Sequence, residues 1–378
     1  MKIGLVLSGG GTRAAVFHLG VLKRLAEAQK LKEVSRISSV SGGSLITALI
    51  FSRSGNKWPS SSEYLDVVYP QLKSLLTSSS LFSGKVLFKN PSQLIHIGER
   101  ARIVANLLRA RWGVDGHLTD LPDNPLWEIN TTCIETGRNW YFSKAHMGDW
   151  IYGESTNPSF TIAEAVAASA AVPYALGALK LELPKSGWNK SNYKSSKQLE
   201  PKDRPASVRL WDGGVYENLG LERVSKPGKD LKGCDFVVIS DASAPLQIEY
   251  SKSLLSRFWN AFLGVFSGKL KSSRLLDITS EQIRSLRVRT FFADYHRAEP
   301  NTLGVHVRIG NSVRDVDAET NYLRPGSDYT GFLTDDEVRQ AALHSTSLKK
   351  LDLDDFERVS RHGYEALVAN LEGYAPDF

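Results

Sequence analysis

The sequence predicts an α/β fold, and three observations near its start carry that prediction. Met1 to Leu7 is a short apolar run, read as a buried strand, that empties into the cluster Ser8-Gly9-Gly10-Gly11-Thr12-Arg13. A run with helical spacing follows, through Ala14, Ala15, Phe17, Leu19, Val21, Leu22 and Leu25. A second strand-and-turn unit, Val34 to Ser44, then leads into another apolar helix, Leu45 to Phe51. Strand, glycine loop, helix, strand, serine turn, helix: such a unit opens its loops on one edge of a sheet.

Each loop has a chemical use. Consecutive glycines at a helix start leave backbone N–H groups bare at the positive end of the helix dipole. A loop of this kind can cradle a phosphate or stabilise the oxyanion of an acyl-transfer intermediate. Ser41 lies between Ser39 and Gly43. It fits a G-x-S-x-G nucleophile elbow in which serine replaces the first glycine. On its own it reads equally as a turn serine that satisfies backbone groups. Asp212, followed by Gly213 and Gly214, likewise reads either as an acid aimed from a strand end or as an ordinary Asp-Gly turn.

Taken together these residues become specific. Gly9-Gly10-Gly11-Thr12-Arg13, Ser39-Val40-Ser41-Gly42-Gly43, Asp212-Gly213-Gly214 and the stretch Ala168 to Pro173 resemble the patatin-like phospholipases over roughly Met1 to Leu221. Ser39 departs from the usual first elbow glycine, and Ala14 stands where a glycine often follows the basic residue of the loop. The resemblance implies a three-layer sandwich with a mostly parallel central sheet and a helical insertion after the helix that follows Ser41. It implies a Ser41–Asp212 dyad with no histidine, in which the aspartate takes the serine proton. Amides of Gly10, Gly11 and Arg13 would form the oxyanion hole, with Gly9, Gly43, Gly213 and Gly214 as supporting turns. Arg13 could instead hold a lipid phosphate or cap structure. The implied activity is of phospholipase A or lysophospholipase type on phospholipids or galactolipids, through an acyl-enzyme at Ser41, with no cofactor and no metal.

Two rival classes are weighed on the sequence. A Rossmann-like nucleotide module would want G-x-G-x-x-G and an acidic residue ending the second strand, whereas the glycines here are consecutive and the strand ends in Val40-Ser41. A Ser-His-Asp esterase would draw its histidine from His296, His306, His344 or His362 in the order serine, acid, histidine. His306 sits in a strand-like pattern and His296 in a polar turn, neither in a loop context that marks it, and His18 reads as a packed residue on the first helix. The dyad is therefore preferred.

The chain has 378 residues, 42% hydrophobic and 10% aromatic, enough for a sizeable core and unlike a disordered or fibrous protein. It is read as one domain, 1–378. Its two cysteines, Cys133 and Cys234, sit in apolar surroundings without metal-type spacing and read as reduced core residues. No leader-like segment opens the chain, and no apolar stretch approaches a membrane span. A cytoplasmic protein with transient contact at a membrane surface is expected. Net charge of +6 would favour anionic headgroups. Without a clustered basic patch or a nucleic-acid motif, nucleic-acid binding is not expected.

Beyond the second helix, residues 52–116 read as a mainly helical insertion, either a lid over the site or plain packing helices. Leu126 to Ile134 and Trp140 to Ser143 read as a hairpin, and Thr161 to Ala171 as a small-residue helix ending before Pro173. Residues 185–207 are polar and lysine-rich and read as a mobile surface loop. Val208 to Trp211 should deliver Asp212 to a strand end, and Phe236 to Ile239 and Leu303 to Ile309 read as further strands. Residues 252–292 read as two amphipathic helices. The first carries an aromatic face, with Phe258, Trp259 and Phe262, which would lie either in a membrane interface or against the core. Residues 334–378 read as C-terminal helices with acidic first turns.

Overall fold

The computed structural model describes residues 1–81, 100–156, 158–173, 176–189, 203–245, 269–295, 303–321 and 330–378. The first strand, β1 (Ile3–Leu7), runs into helix α1 (Gly11–Glu27), strand β2 (Val34–Val40) and helix α2 (Gly42–Arg53). A π-helical turn, Tyr64–Val68, leads into α3 (Tyr69–Ser78), and α4 (Arg100–Trp112) follows. Next come β3 (Leu126–Cys133), β4 (Arg138–Phe142), β5 (His146–Asp149), β6 (Gly153–Thr156) and α5 (Ile162–Ser169). Then come β7 (Leu179–Glu182), β8 (Trp188–Asn189), β9 (Ser207–Asp212), the single turn α6 (Gly214–Glu217) and β10 (Phe236–Asp241). Helix α7 (Lys269–Tyr295), β11 (Gly304–Arg308), α8 (Val313–Thr320), α9 (Asp335–Leu343) and α10 (Leu353–Tyr374) complete the described chain.

One sheet organises the molecule. Strands β11, β10, β1, β2 and β3 lie side by side and parallel, so every loop after their C-terminal ends opens on one edge. Beyond β3 the sheet turns antiparallel through β4, β5, β6 and β8. Strand β1 and the first four residues of β10 are apolar on both faces, as parallel strands covered by helices are. Ile3, Leu5 and Leu7 of β1 point into the larger core with α1, α2 and α10. Val6 joins Val237, Ile239, Leu219, Leu221 and Phe291 on the opposite face, under α7. Helix, sheet and helix therefore form three layers around the parallel half of the sheet.

Helix α2 is buried on every side from Gly42 to Phe51, which explains why its sequence shows no polar stripe. Capping is regular. Thr161 accepts the amide of Glu164 at the start of α5, Thr334 accepts that of Glu337 at α9, and Asp352 accepts that of Asp355 at α10. The acidic first turn of α9 (Asp335, Asp336, Glu337) lies where the helix dipole favours it.

The described residues bear on three of the expectations. Within 52–116, the described helices are core elements: Tyr64, Val68, Leu72 and Leu76 are buried, and the Tyr64 hydroxyl donates to the carbonyl of Leu19 at 2.9 Å. The stretch read as a polar loop at 185–207 contains β8, which pairs with β6 because Trp188 packs edge-on against Trp140. Of the two helices expected over 252–292, the described part is the single helix α7; residues 252–268, with Phe258, Trp259 and Phe262, lie outside the described residues. Cys133 and Cys234 are buried and free, and burial pushes both thiols up to about 11.

Candidate active site

Register alone brings Ser41 and Asp212 together. The β2 ladder on β3 ends at Val40 opposite Asn130. Strand β4 occupies the other edge of β3 from Ile129 to Cys133. Strand β9, which pairs with β3 from Thr131 to Cys133, must therefore take the edge that β2 has just vacated. It runs antiparallel, with Asp212 opposite Thr131, so its last residue arrives head-on at the end of β2. Ser41 begins there.

The glycine loop lies on the neighbouring strand, because Leu7 of β1 sits opposite Ser39 of β2. Gly10 and Gly11 have φ of 142° and 63°, values that a side chain rarely adopts, and this is what turns the chain sharply into α1. Among the described residues the amides of Gly10, Gly11 and Arg13 have no hydrogen-bond partner. The amide of Gly9 is held by the carbonyl of Asn218 at 3.0 Å. The Arg13 side chain is turned away, buried, with Nη1 on the carbonyl of His344 (2.8 Å) and Nη2 on that of Ala242 (3.0 Å). Burial lowers its pKa to about 10 against the pull of Asp241, which leaves it a cation at neutral pH.

Ser41 occupies a strained elbow at φ 49° and ψ −110°, although it is not glycine. The turn is tight: Gly43 donates to the carbonyl of Ser8 at 3.1 Å, and a Cβ at Gly43 would come within 2.2 Å of the carbonyl oxygen of Leu7. A chain of hydroxyls supports it from behind. Trp127 Nε1 donates to Ser39 Oγ at 2.8 Å, Ser39 Oγ lies 2.9 Å from Ser44 Oγ, and Ser44 Oγ lies 2.9 Å from Ser169 Oγ. Ser169 donates to the carbonyl of Asn130 at 2.7 Å and accepts the amide of Ser41 at 2.9 Å. The two ends fix the direction of every bond, since an indole only donates and a carbonyl only accepts. Ser44 must donate to Ser169, and Ser39 to Ser44. Serine at position 39 is thus a working member of the elbow.

Asp212 is buried. Its Oδ1 accepts the amide of Gly214 at 2.7 Å, and the Ser41 hydroxyl lies close enough to the carboxylate to act on its charge. Its backbone is fixed too, with the amide on the carbonyl of Ala171 (2.9 Å) and the carbonyl accepting Thr132 Oγ1 (2.8 Å). Burial raises the carboxyl to about 6, and the Gly214 amide and the nearby Ser41 hydroxyl only partly offset this. Gly213 follows with its amide on the carbonyl of Ser169 at 3.3 Å, tying the aspartate turn to the end of α5.

No described histidine bonds to either residue. His18 is buried with Nδ1 on Ser240 Oγ (2.7 Å) and Nε2 on the carbonyl of Ser8 (2.9 Å), as a packed histidine should be. Burial lowers its pKa to about 4, so it is neutral and donates through Nε2. His306 contacts buried Asp241, His344 contacts Asp355, and His362 accepts the amide of Gly310. His296 lies outside the described residues. The residues that sequence reasoning missed are Ser44, Trp127, Asn130, Ser169 and Asn218. Only Ser169 had a signal, its place in the Ala168 to Pro173 stretch.

Comparison with known proteins agrees with the fold. A family model described as patatin-like phospholipase matches residues 5–224. The chain is 25% identical over 333 residues to the triacylglycerol lipase SDP1L of Arabidopsis thaliana, covering 84% of this chain and 38% of that protein. Its fold is similar to that of human GIVD cytosolic phospholipase A2, with a TM-score of 0.55 at 15% identity, over 98% of this chain and 61% of that one. The same human enzyme in complex with methyl gamma-linolenyl fluorophosphonate matches at a TM-score of 0.50 and 15% identity, over 98% and 57%. The chain thus spans less than two thirds of the length of each. Since the matched family region takes in the glycine loop, the Ser41 elbow, Ser169 and the Asp212 turn, this chain belongs to the patatin-like phospholipase family.

Proposed function

We propose that the protein is a serine carboxylic-ester hydrolase that cleaves acyl esters of membrane lipids, of phospholipase A or lysophospholipase type. The observation that carries this reading is the strained Ser41 elbow set at the strand end where the buried Asp212 arrives, beside a glycine loop with unpartnered amides. The Asp212 carboxylate takes the hydroxyl proton as Ser41 Oγ attacks the ester carbonyl carbon. Negative charge develops on the carbonyl oxygen, and the amides of Gly10, Gly11 and Arg13 receive it. Collapse expels the alcohol, which leaves with the proton held by Asp212, and an acyl-enzyme remains. Water attacks that ester, gives its proton to Asp212, and the fatty acid departs as Ser41 regains a proton.

The ester class is common to the relatives named above, one called a triacylglycerol lipase and the other a phospholipase A2. Among the described residues no helix is long and apolar enough to cross a membrane, so substrate is proposed to be met by transient contact at a lipid surface. The test is mass spectrometry of products from a mixture of phospholipids, galactolipids and triacylglycerol, with Ser41→Ala as control. Release of fatty acid from phospholipid that vanishes in the variant supports the reading. Failure of the wild-type protein to release fatty acid from any of them, together with failure to react with a fluorophosphonate, sinks it.

A further inference from the structure

The glycine loop is held from a part of the chain far beyond the family-matched region. Thr12 donates both its amide, at 2.9 Å, and its hydroxyl, at 3.1 Å, to the carbonyl of Ser347. Arg13 bridges the carbonyls of His344 and Ala242 with its two terminal nitrogens. The segment between α9 and α10 lies directly on the loop, since a Cβ at Gly11 would stand 2.4 Å from the carbonyl oxygen of Ser347. Its far end is pinned as well. Lys350 donates its amide to Ser80 Oγ at 3.0 Å, and Leu351 donates to the carbonyl of Leu76 at 3.1 Å.

Two consequences follow. Of the amides at the start of α1, that of Thr12 is consumed by Ser347, which leaves those of Gly10, Gly11 and Arg13 as donors. Both terminal nitrogens of Arg13 are committed to carbonyls, so its guanidinium is occupied in holding the chain and not available to grip a substrate phosphate.

We propose that Thr12 and Arg13 are positioning residues that clamp the glycine loop to the end of β10 and to the 344–347 segment, through the carbonyls of Ala242, His344 and Ser347. The proposal rests on the hydrolase reading above. A misplacement of donors by about 1 Å can cost on the order of a hundredfold in rate, so a clamp that fixes them acts on turnover.

The experiment compares Thr12→Val, Thr12→Ser and Arg13→Lys with the wild-type full chain. Two substrates are used, p-nitrophenyl butyrate, which has no phosphate, and phosphatidylcholine in mixed micelles. Amide hydrogen exchange over residues 8–16 is measured in parallel. The clamp predicts that Thr12→Val and Arg13→Lys lower kcat by roughly 10- to 100-fold, by the same factor on both substrates. KM should stay within about twofold, and the loop amides should exchange about tenfold faster. Thr12→Ser keeps the hydroxyl and should behave as wild type. A loss confined to phosphatidylcholine, with a raised KM, would show Arg13 meeting the substrate phosphate and overturn the proposal. Unchanged turnover and exchange in Thr12→Val would also overturn it, and this variant decides alone if Arg13→Lys does not fold. If the wild-type protein cleaves neither substrate, the hydrolase reading fails and the exchange measurement decides the clamp.

Discussion

Ser169 Oγ accepts the amide of Ser41 at 2.9 Å, so the last residue of α5 fixes the backbone of the elbow serine. The same oxygen receives the Ser44 proton and spends its own on the carbonyl of Asn130. Ser169→Ala removes three bonds from a buried site. It should cost about 1–3 kcal/mol of stability, since buried groups are left unpaired. Turnover should fall by roughly tenfold because the elbow loosens while its reacting groups remain. Thermal melting and steady-state kinetics on a soluble ester check both, and an unchanged melt would show that the hydroxyl chain is idle.

Ser39→Gly tests the same chain from its other end. It restores the residue usual in such elbows, yet here it strands the Trp127 indole and the Ser44 oxygen, both buried. The expected outcome is a protein destabilised by about 1 kcal/mol or more with turnover largely kept. A stabilised variant would contradict the hydrogen-bond order derived above.

Ser41→Ala and Asp212→Asn should each abolish ester hydrolysis, and the double variant should be little worse than either single, because the pair acts as a unit. Circular dichroism of each variant separates loss of chemistry from loss of fold. Near wild-type activity in Ser41→Ala would end the mechanistic reading.

The sequence made the parallel half of the sheet legible, because β1 and β10 are apolar runs that lead into serine, glycine or aspartate, and β2 stands between the first helix and a serine-glycine turn. It also brought out Ser41, Asp212 and the glycine loop as loop residues at strand ends. The antiparallel extension was not legible. Strands β5 and β6, His146–Asp149 and Gly153–Thr156, are short, glycine-bearing and polar, and they exist because neighbours pair with them. The hydroxyl chain was hidden for a related reason. Ser39, Ser44 and Ser169 look like ordinary small residues until three distant segments meet, and the hold of Ser347 on Thr12 spans the chain in the same way.

A histidine-dependent mechanism makes the opposite demand on His306 and His344, which contact Asp241 and Asp355 and not the Ser41 site. His306→Ala and His344→Ala should retain hydrolysis within roughly tenfold, well short of the loss of a general base. A fall of about ten-thousandfold in a folded variant, read by kcat/KM on a short ester, would place the protein among the triad hydrolases.

The buried carboxyl of Asp212 links activity, stability and pH with opposite signs. As the base it must be ionised, so kcat/KM on an uncharged ester should climb about tenfold per unit up to pH about 6 and then level off. Stability runs the other way. The folded pKa, about 6, lies above the ordinary aspartate value of 3.8, so this group contributes stability that is fully present below 3.8 and lost as pH rises through 6. Above pH 6 the fold carries an ionised carboxylate at a cost of about 3 kcal/mol relative to the unfolded chain. Asp212→Asn removes that charge while its amide oxygen can still accept from Gly214. The inactive variant should therefore melt higher than wild type at pH 8, with the difference shrinking as pH falls from 6 towards 3.8. Melting curves of the two proteins across that range are the measurement. A variant that melts lower at pH 8 would mean that the carboxylate is stabilised in the fold, and that burial does not set its pKa.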